Sequence, residues 1–176
     1  MTQIDKLIYD TAINDEMPHP LAVLIVGQAR LESGNYLHKF FTIGKNAFGY
    51  MYDKNSHWQI APGGIADNKA RIAQYESVTD SVHELTSWIK RRVKDGQFPK
   101  DLSTITTPGQ YANYLRNGSH VYGGLSTVDY RDGIAARLKL AGQGISTAKS
   151  VPAMGSIGLL LLLIIVSYFF WIISCL

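Results

Sequence analysis

The feature that most limits how this chain can fold is a break in its charge pattern. Lys149 is the last of its charged side chains, 17 basic and 14 acidic. Beyond it, 19 of the 24 residues from Ala153 to Leu176 are apolar. As a helix rising about 1.5 Å per residue, the stretch from Ile157 to Leu176 has the length of a bilayer's hydrocarbon core, about 30 Å. A helix apolar on every face needs an enclosing core larger than the rest of this chain supplies. The pattern therefore predicts a transmembrane anchor over 153–176, with Tyr168 and Trp171 near an interface. Residues 141–152 read as a flexible linker and residues 1–140 as one domain held at a membrane, with Lys149 favouring its cytoplasmic side.

Composition excludes several classes. The chain is 46% hydrophobic and 18% charged with net charge +3, which fits neither a disordered chain nor a polytopic membrane protein. The single cysteine, Cys175, excludes a disulfide framework. Lys90, Arg91, Arg92 and Lys94 read as the solvated end of a helix, so no nucleic-acid partner is expected. The five histidines lack metal-ligand spacing; His83-Glu84 has no second histidine four residues after the first. No phosphate loop, nucleophile elbow or dinucleotide fingerprint is present, so neither a metal nor a cofactor is expected.

Periodicity then lays out the soluble part. Thr2 caps a helix over 3–14, with Ile4, Leu7, Ile8 and Thr11 on one face. Pro18 to Pro20 break the chain before a second helix, Leu21 to Ser33, closed by Gly34. Leu21, Val23, Leu24, Ile25 and Val26 make this the most buried helix. Residues 35–55 read as a structured loop. His57 to Ala61, a turn at Pro62-Gly63-Gly64, and Arg71 to Tyr75 read as a small β region. Ser77 and Asp80 open a third helix with its stripe at Val78, Val82, Leu85 and Ile89. Thr107, Pro108 and Gln110 open a fourth helix that ends at Asn117-Gly118. A fifth begins at Ser126/Thr127 and carries Tyr130, Ile134 and Leu138. The expected fold class is α+β, mainly α, with one small β lobe and the C-terminal transmembrane helix.

Glu32 is the carboxylate that stands out. It ends the greasiest soluble helix and shares a face with Gln28 and Ile25. Burial there raises a carboxyl pKa, and the negative end of the helix dipole pushes the same way. A carboxylic acid still protonated near neutral pH is what protonation of a glycosidic oxygen requires. The opposing reading is a surface glutamate paired with Arg30 or Lys39.

Gln28-Ala29-Arg30-Leu31-Glu32-Ser33-Gly34, followed by Asn46-Ala47-Phe48-Gly49, resembles the glucosaminidases of glycoside hydrolase family 73. Ala47 stands where that family's signature has Leu. The resemblance extends over Asn55 to Trp58, Arg71 to Tyr75 with Ser77, and Tyr122 and Tyr130. The family's Ala-Thr-Asp after the first of these tyrosines is replaced by Gly123-Gly124-Leu125. It covers about residues 18–140 and implies a lysozyme-like domain that cuts the glycan backbone of peptidoglycan, with Glu32 as catalytic acid. Glu32-Ser33 with Ala47-Phe48-Gly49-Tyr50-Met51 also resembles lytic transglycosylases and goose-type lysozymes, although Tyr52 stands where those have Gln.

The resemblance implies a second acid in the β lobe, for which Asp67 is the positional candidate and Asp53 the runner-up; both also read as turn aspartates. If neither acts, the substrate's own N-acetyl or 6-hydroxyl group would be the nucleophile. Tyr75 and Tyr122 are candidate catalytic helpers, and Asn46, Phe48, Tyr50 and Trp58 candidate substrate-binding residues. For Phe48 the other reading is a core anchor, with Asn46 holding the loop's backbone. Peptidoglycan strands, a lipid bilayer through 153–176 and capsid proteins are the expected partners. A wall-degrading domain with a C-terminal anchor and no N-terminal export signal leads to the expectation of a membrane-containing bacteriophage, its enzyme held in the virion membrane or else in the bacterial cytoplasmic membrane. The competing expectation is a non-catalytic virion or wall-binding protein that keeps the lysozyme-like fold.

Overall fold

The computed structural model describes residues 1–65, 71–118 and 125–142, all within the first of two compact units, Met1–Gly144. Among the described residues six helices and one two-stranded sheet follow in the order α1 (Gln3–Asn14), α2 (His19–Glu32), α3 (Lys39–Thr42), β1 (Gln59–Ile65), β2 (Arg71–Tyr75), α4 (Val78–Lys94), α5 (Pro108–Asn117) and α6 (Thr127–Gly142). A 3-10 turn, Leu102–Thr104, precedes α5.

Local chemistry sets most of the boundaries. Thr2, Ser77 and Thr107 each accept from the backbone N–H three residues on, and Asp5, Asp80 and Gln110 each return a bond to the capping residue's N–H. Such reciprocal caps satisfy donors that a helix start leaves bare. Pro18 caps α2 in extended conformation and Pro20 falls in its first turn, so α2 starts at His19, earlier than periodicity alone indicates.

The core is built around α2. Leu21, Ala22, Leu24, Ile25, Val26 and Ala29 are buried, and α1, α5 and α6 pack against this helix. The α2–α6 crossing is tight at two glycines. A Cβ added to Gly27 would lie 2.9 Å from Leu138 Cγ, and one added to Gly133 would lie 2.8 Å from Leu31 Cδ1. Glycine inside a helix costs about 1 kcal/mol relative to alanine, and here it lets the two backbones approach. That approach brings Tyr130 of α6 to the end of α2.

The α1–α2 pair carries a buried charge cluster. Arg30 Nε and Nη2 donate to Asp5 Oδ1 and Oδ2 at 2.7 and 2.5 Å, and the Tyr36 hydroxyl donates to Oδ1 at 2.7 Å. Burial alone would raise the Asp5 carboxyl, but Arg30, the Thr2 N–H and Tyr36 outweigh it and hold the group at about 2. Tyr36 itself follows two other residues with positive φ, Gly34 and Asn35, and has φ 70°. That conformation is unfavourable for a tyrosine. Its bonds to Asp5 and from its N–H to Ser33 Oγ hold it there.

The sheet pairs β1 and β2 antiparallel, with Pro62 opposite Ala73 and register shifts at Gln59/Ala61 and Pro62/Gly64. Pro62-Gly63-Gly64 is therefore part of an irregular strand and not the hairpin turn that its composition indicates. The loop before it runs alongside β2 on the other edge: Tyr52 N–H donates to Arg71 O, Ala73 N–H to Tyr50 O, and Met51 bridges Ile72.

The fold class is corrected in one respect. It is mainly helical α+β with a two-stranded sheet, and among the described residues no helix is long and apolar enough to cross a membrane. The transmembrane expectation falls on 153–176, which lie outside the described residues, so the anchor and the membrane localisation drawn from it are withdrawn.

Candidate active site

Glu32 closes α2, and the two residues after it determine how. Ser33 is buried, its hydroxyl donating to Ala29 O at 2.6 Å and accepting from Tyr36 N–H at 2.9 Å. Gly34 then takes φ 59°, which is inexpensive for glycine. The Glu-Ser-Gly run thus stops the helix and turns the chain while leaving the Glu32 side chain half-buried. Arg30 is committed to Asp5, and Lys39 is exposed on α3.

A directed hydrogen-bond chain reaches Glu32 from the core. Tyr111 of α5 donates to Gln28 Oε1 at 2.6 Å, Gln28 bonds Tyr130, and the Tyr130 hydroxyl donates to Glu32 Oε1 at 2.5 Å. Both tyrosines and Gln28 are 0% exposed. Burial first, then the Glu32 charge, raises Tyr130 well above the usual phenol range, so its proton stays in place as a donor at neutral pH. The other carboxylate oxygen, Oε2, lies toward the loop after α3: a Cβ on Gly49 would sit 3.8 Å from it. Gly49 has φ 63°. The two halves of the sequence motif therefore meet at one carboxylate.

Asn46 explains the second half. It is 0% exposed, donates to Tyr50 O and Ala73 O at 2.9 and 3.1 Å, and accepts from the N–H groups of Phe48 and Tyr50 at 3.3 and 3.1 Å. Phe48 is 2% exposed in the core. Both lie beneath the site and shape the Gly49–Tyr50 turn. Phe48 thus anchors the loop in the core while Asn46 holds its backbone.

Tyr75 is likewise 2% exposed and meets Glu84 of α4, to whose Oε2 its hydroxyl donates at 2.6 Å. Gln59 of β1 donates to the same carboxylate at 3.0 and 3.1 Å. Burial, then Glu84, raises the Tyr75 phenol. Tyr50 lies within electrostatic reach of both acids: burial raises its phenol most, followed by Glu84 and then Glu32. Glu84 escaped the sequence reading because its partners lie 25 and 9 residues upstream. The one local signal was a carboxylate beside the apolar stripe of α4, directly after a strand ending in tyrosine.

Trp58 is half-buried and stacks on His83 at 4.9 Å and 29°. His83 Nδ1 is 2.7 Å from Asp15 Oδ2, which also accepts from the Thr86 hydroxyl at 2.5 Å. The exposed Asp53 is a turn residue, with Oδ1 accepting from the Asn55 N–H at 2.9 Å. Asp67 and Tyr122 lie outside the described residues. Among the described residues no three His, Cys, Asp or Glu side chains group so as to hold a metal.

No family profile and no curated protein matches this chain. Two solved structures share its fold. A peptidoglycan hydrolase from Sphingomonas sp. A1 superposes with TM-score 0.56 and 16% identity over 83% of this chain and 99% of its own. A chain of a type VI secretion system effector–immunity complex from Pseudomonas protegens superposes with TM-score 0.51 and 17% identity over 77% and 88%. At these identities the likeness establishes that the chain has a peptidoglycan hydrolase-like fold.

Proposed function

We propose that this protein is a peptidoglycan hydrolase that cleaves the glycan backbone, with Glu32 as general acid. The observation that carries the reading is the setting of one carboxylate. Glu32 Oε1 is held by Tyr130 while Oε2 is turned toward Gly49. In this reading the proton is delivered from Oε2, Oε1 being the oxygen that accepts from Tyr130. As that proton passes to the glycosidic oxygen and the bond from C1 breaks, Glu32 becomes anionic. The Tyr130 bond strengthens with the charge, which places its stabilisation in the transition state. Trp58 offers an aromatic face for a sugar ring.

The cut is of the N-acetylglucosaminidase type in this reading. The competing lytic transglycosylase reading is disfavoured by Tyr52 at the position after Met51. The shared fold with a peptidoglycan hydrolase supports the substrate class.

The test is release of soluble fragments from purified sacculi by the full chain and by Glu32→Gln. General acid catalysis contributes about 10²–10⁴-fold, so the variant should lose activity on that scale with unchanged folding. An inactive wild type on several peptidoglycans, or an active Glu32→Gln, would remove the assignment and leave a non-catalytic wall-binding fold.

A further inference from the structure

We propose that Glu84 is the second working carboxylate of this cleft, the general base that takes a proton from the attacking water. The proposal rests on Glu32 being the general acid and supplies the group that Asp67 or Asp53 was expected to provide.

Three observations carry it. Glu84, on α4, is fixed by groups from two other elements, Gln59 from β1 and Tyr75 from β2. Both contacting groups are donors, so the carboxylate is set as an acceptor. Among the described residues no lysine or arginine forms an ion pair with Glu84, and it is half-buried. Finally, one short stretch of loop joins the surroundings of the two acids: a Cβ on Gly49 would sit 3.8 Å from Glu32 Oε2, and Gln59 Nε2, which donates to Glu84, also donates to Met51 O at 3.3 Å. Asn46 holds that stretch through the backbone of Tyr50.

The chemistry follows from these positions. Glu32 gives its proton to the leaving oxygen as the bond between that oxygen and C1 breaks. A water on the opposite ring face forms the new bond to C1, and its proton passes to Glu84. With both oxygens engaged by donors, Glu84 is better suited to accept a proton through a remaining lone pair than to form a covalent glycosyl ester. The route is the inverting one, in which a β-linked strand yields an α reducing end.

The experiment uses the full chain on soluble β-linked glycan oligomers from peptidoglycan, with nascent anomers followed by NMR. The expected wild-type product is the α anomer. Glu84→Gln should lower kcat by about 10²-fold or more with KM within about twofold. Nascent β anomer, an anhydro product, or a folded Glu84→Gln with near wild-type kcat overturns the proposal. The wild-type anomer decides even if the variant does not fold. An inactive wild type would instead count against the hydrolase reading itself, so the two failures are distinguishable.

Discussion

Removing the Asp5 carboxylate should destabilise the fold by an amount the geometry fixes. The group is 0% exposed and is held at about 2 against an ordinary value of 3.8. At 1.36 kcal/mol per unit, that difference corresponds to about 2 kcal/mol. The folded-state value is the lower one, so this stabilisation is complete above pH 4. It fades as pH falls toward 2, where the folded protein also takes up the proton. Asp5→Asn abolishes it and leaves Arg30, 9% exposed, without its counter-charge, a loss of about 3–5 kcal/mol when one partner of a buried pair is removed. Urea unfolding of wild type and Asp5→Asn, from pH 7 to pH 2, measures both quantities. The stability gap should be widest at neutral pH and should narrow below pH 4. The double variant Asp5→Leu/Arg30→Met should regain much of the loss, since it leaves no uncompensated charge. A neutral-pH gap under about 1 kcal/mol, or one unchanged down to pH 2, would refute the reasoning. The network also secures Tyr36 in its left-handed conformation just beyond Glu32, so the variant should lose activity at temperatures below its melting point.

Two further outcomes follow from the site. Tyr130→Phe removes the donor to Glu32 Oε1 and strands a Gln28 bond; kcat should fall about 10- to 100-fold with KM little changed, and stability by about 1–3 kcal/mol, checked by steady-state kinetics and urea melts. Asn46→Ala strips four backbone groups of Phe48, Tyr50 and Ala73 of a buried partner; stability should fall by about 3 kcal/mol or more, and a loss under about 1 kcal/mol would show that the turn holds without it.

What could be read from the sequence was local. The reciprocal caps at Thr2, Ser77 and Thr107 use side chains three residues apart, and each opens its helix where the chain indicates. The apolar run from Leu21 to Val26 identified the central helix, and Glu32 was visible because it closes that run. Pairings across the fold were not legible. Asp5 was visible only as a first-turn residue, because Arg30 lies 25 positions away. Pro62-Gly63-Gly64 carries turn residues, yet cross-strand pairing with Ala73 and Ile72 keeps it within β1. Asn46 and Phe48 could be read either as substrate contacts or as anchors of the loop, because polarity and aromaticity do not reveal burial. Tyr130 was visible as a residue of the last helix and of the family resemblance, but its bond to Glu32 depends on the glycine contacts between α2 and α6.

The central claim is that Glu32 supplies the proton that breaks a backbone glycosidic bond. Mass spectrometry of the fragments released from sacculi by the full chain, with Glu32→Gln in parallel, tests it most directly. The account predicts fragments ending in a new reducing N-acetylglucosamine from wild type and none above background from the variant. Fragments cut at peptide bonds with the glycan intact, or equal yields from the two proteins, would contradict it.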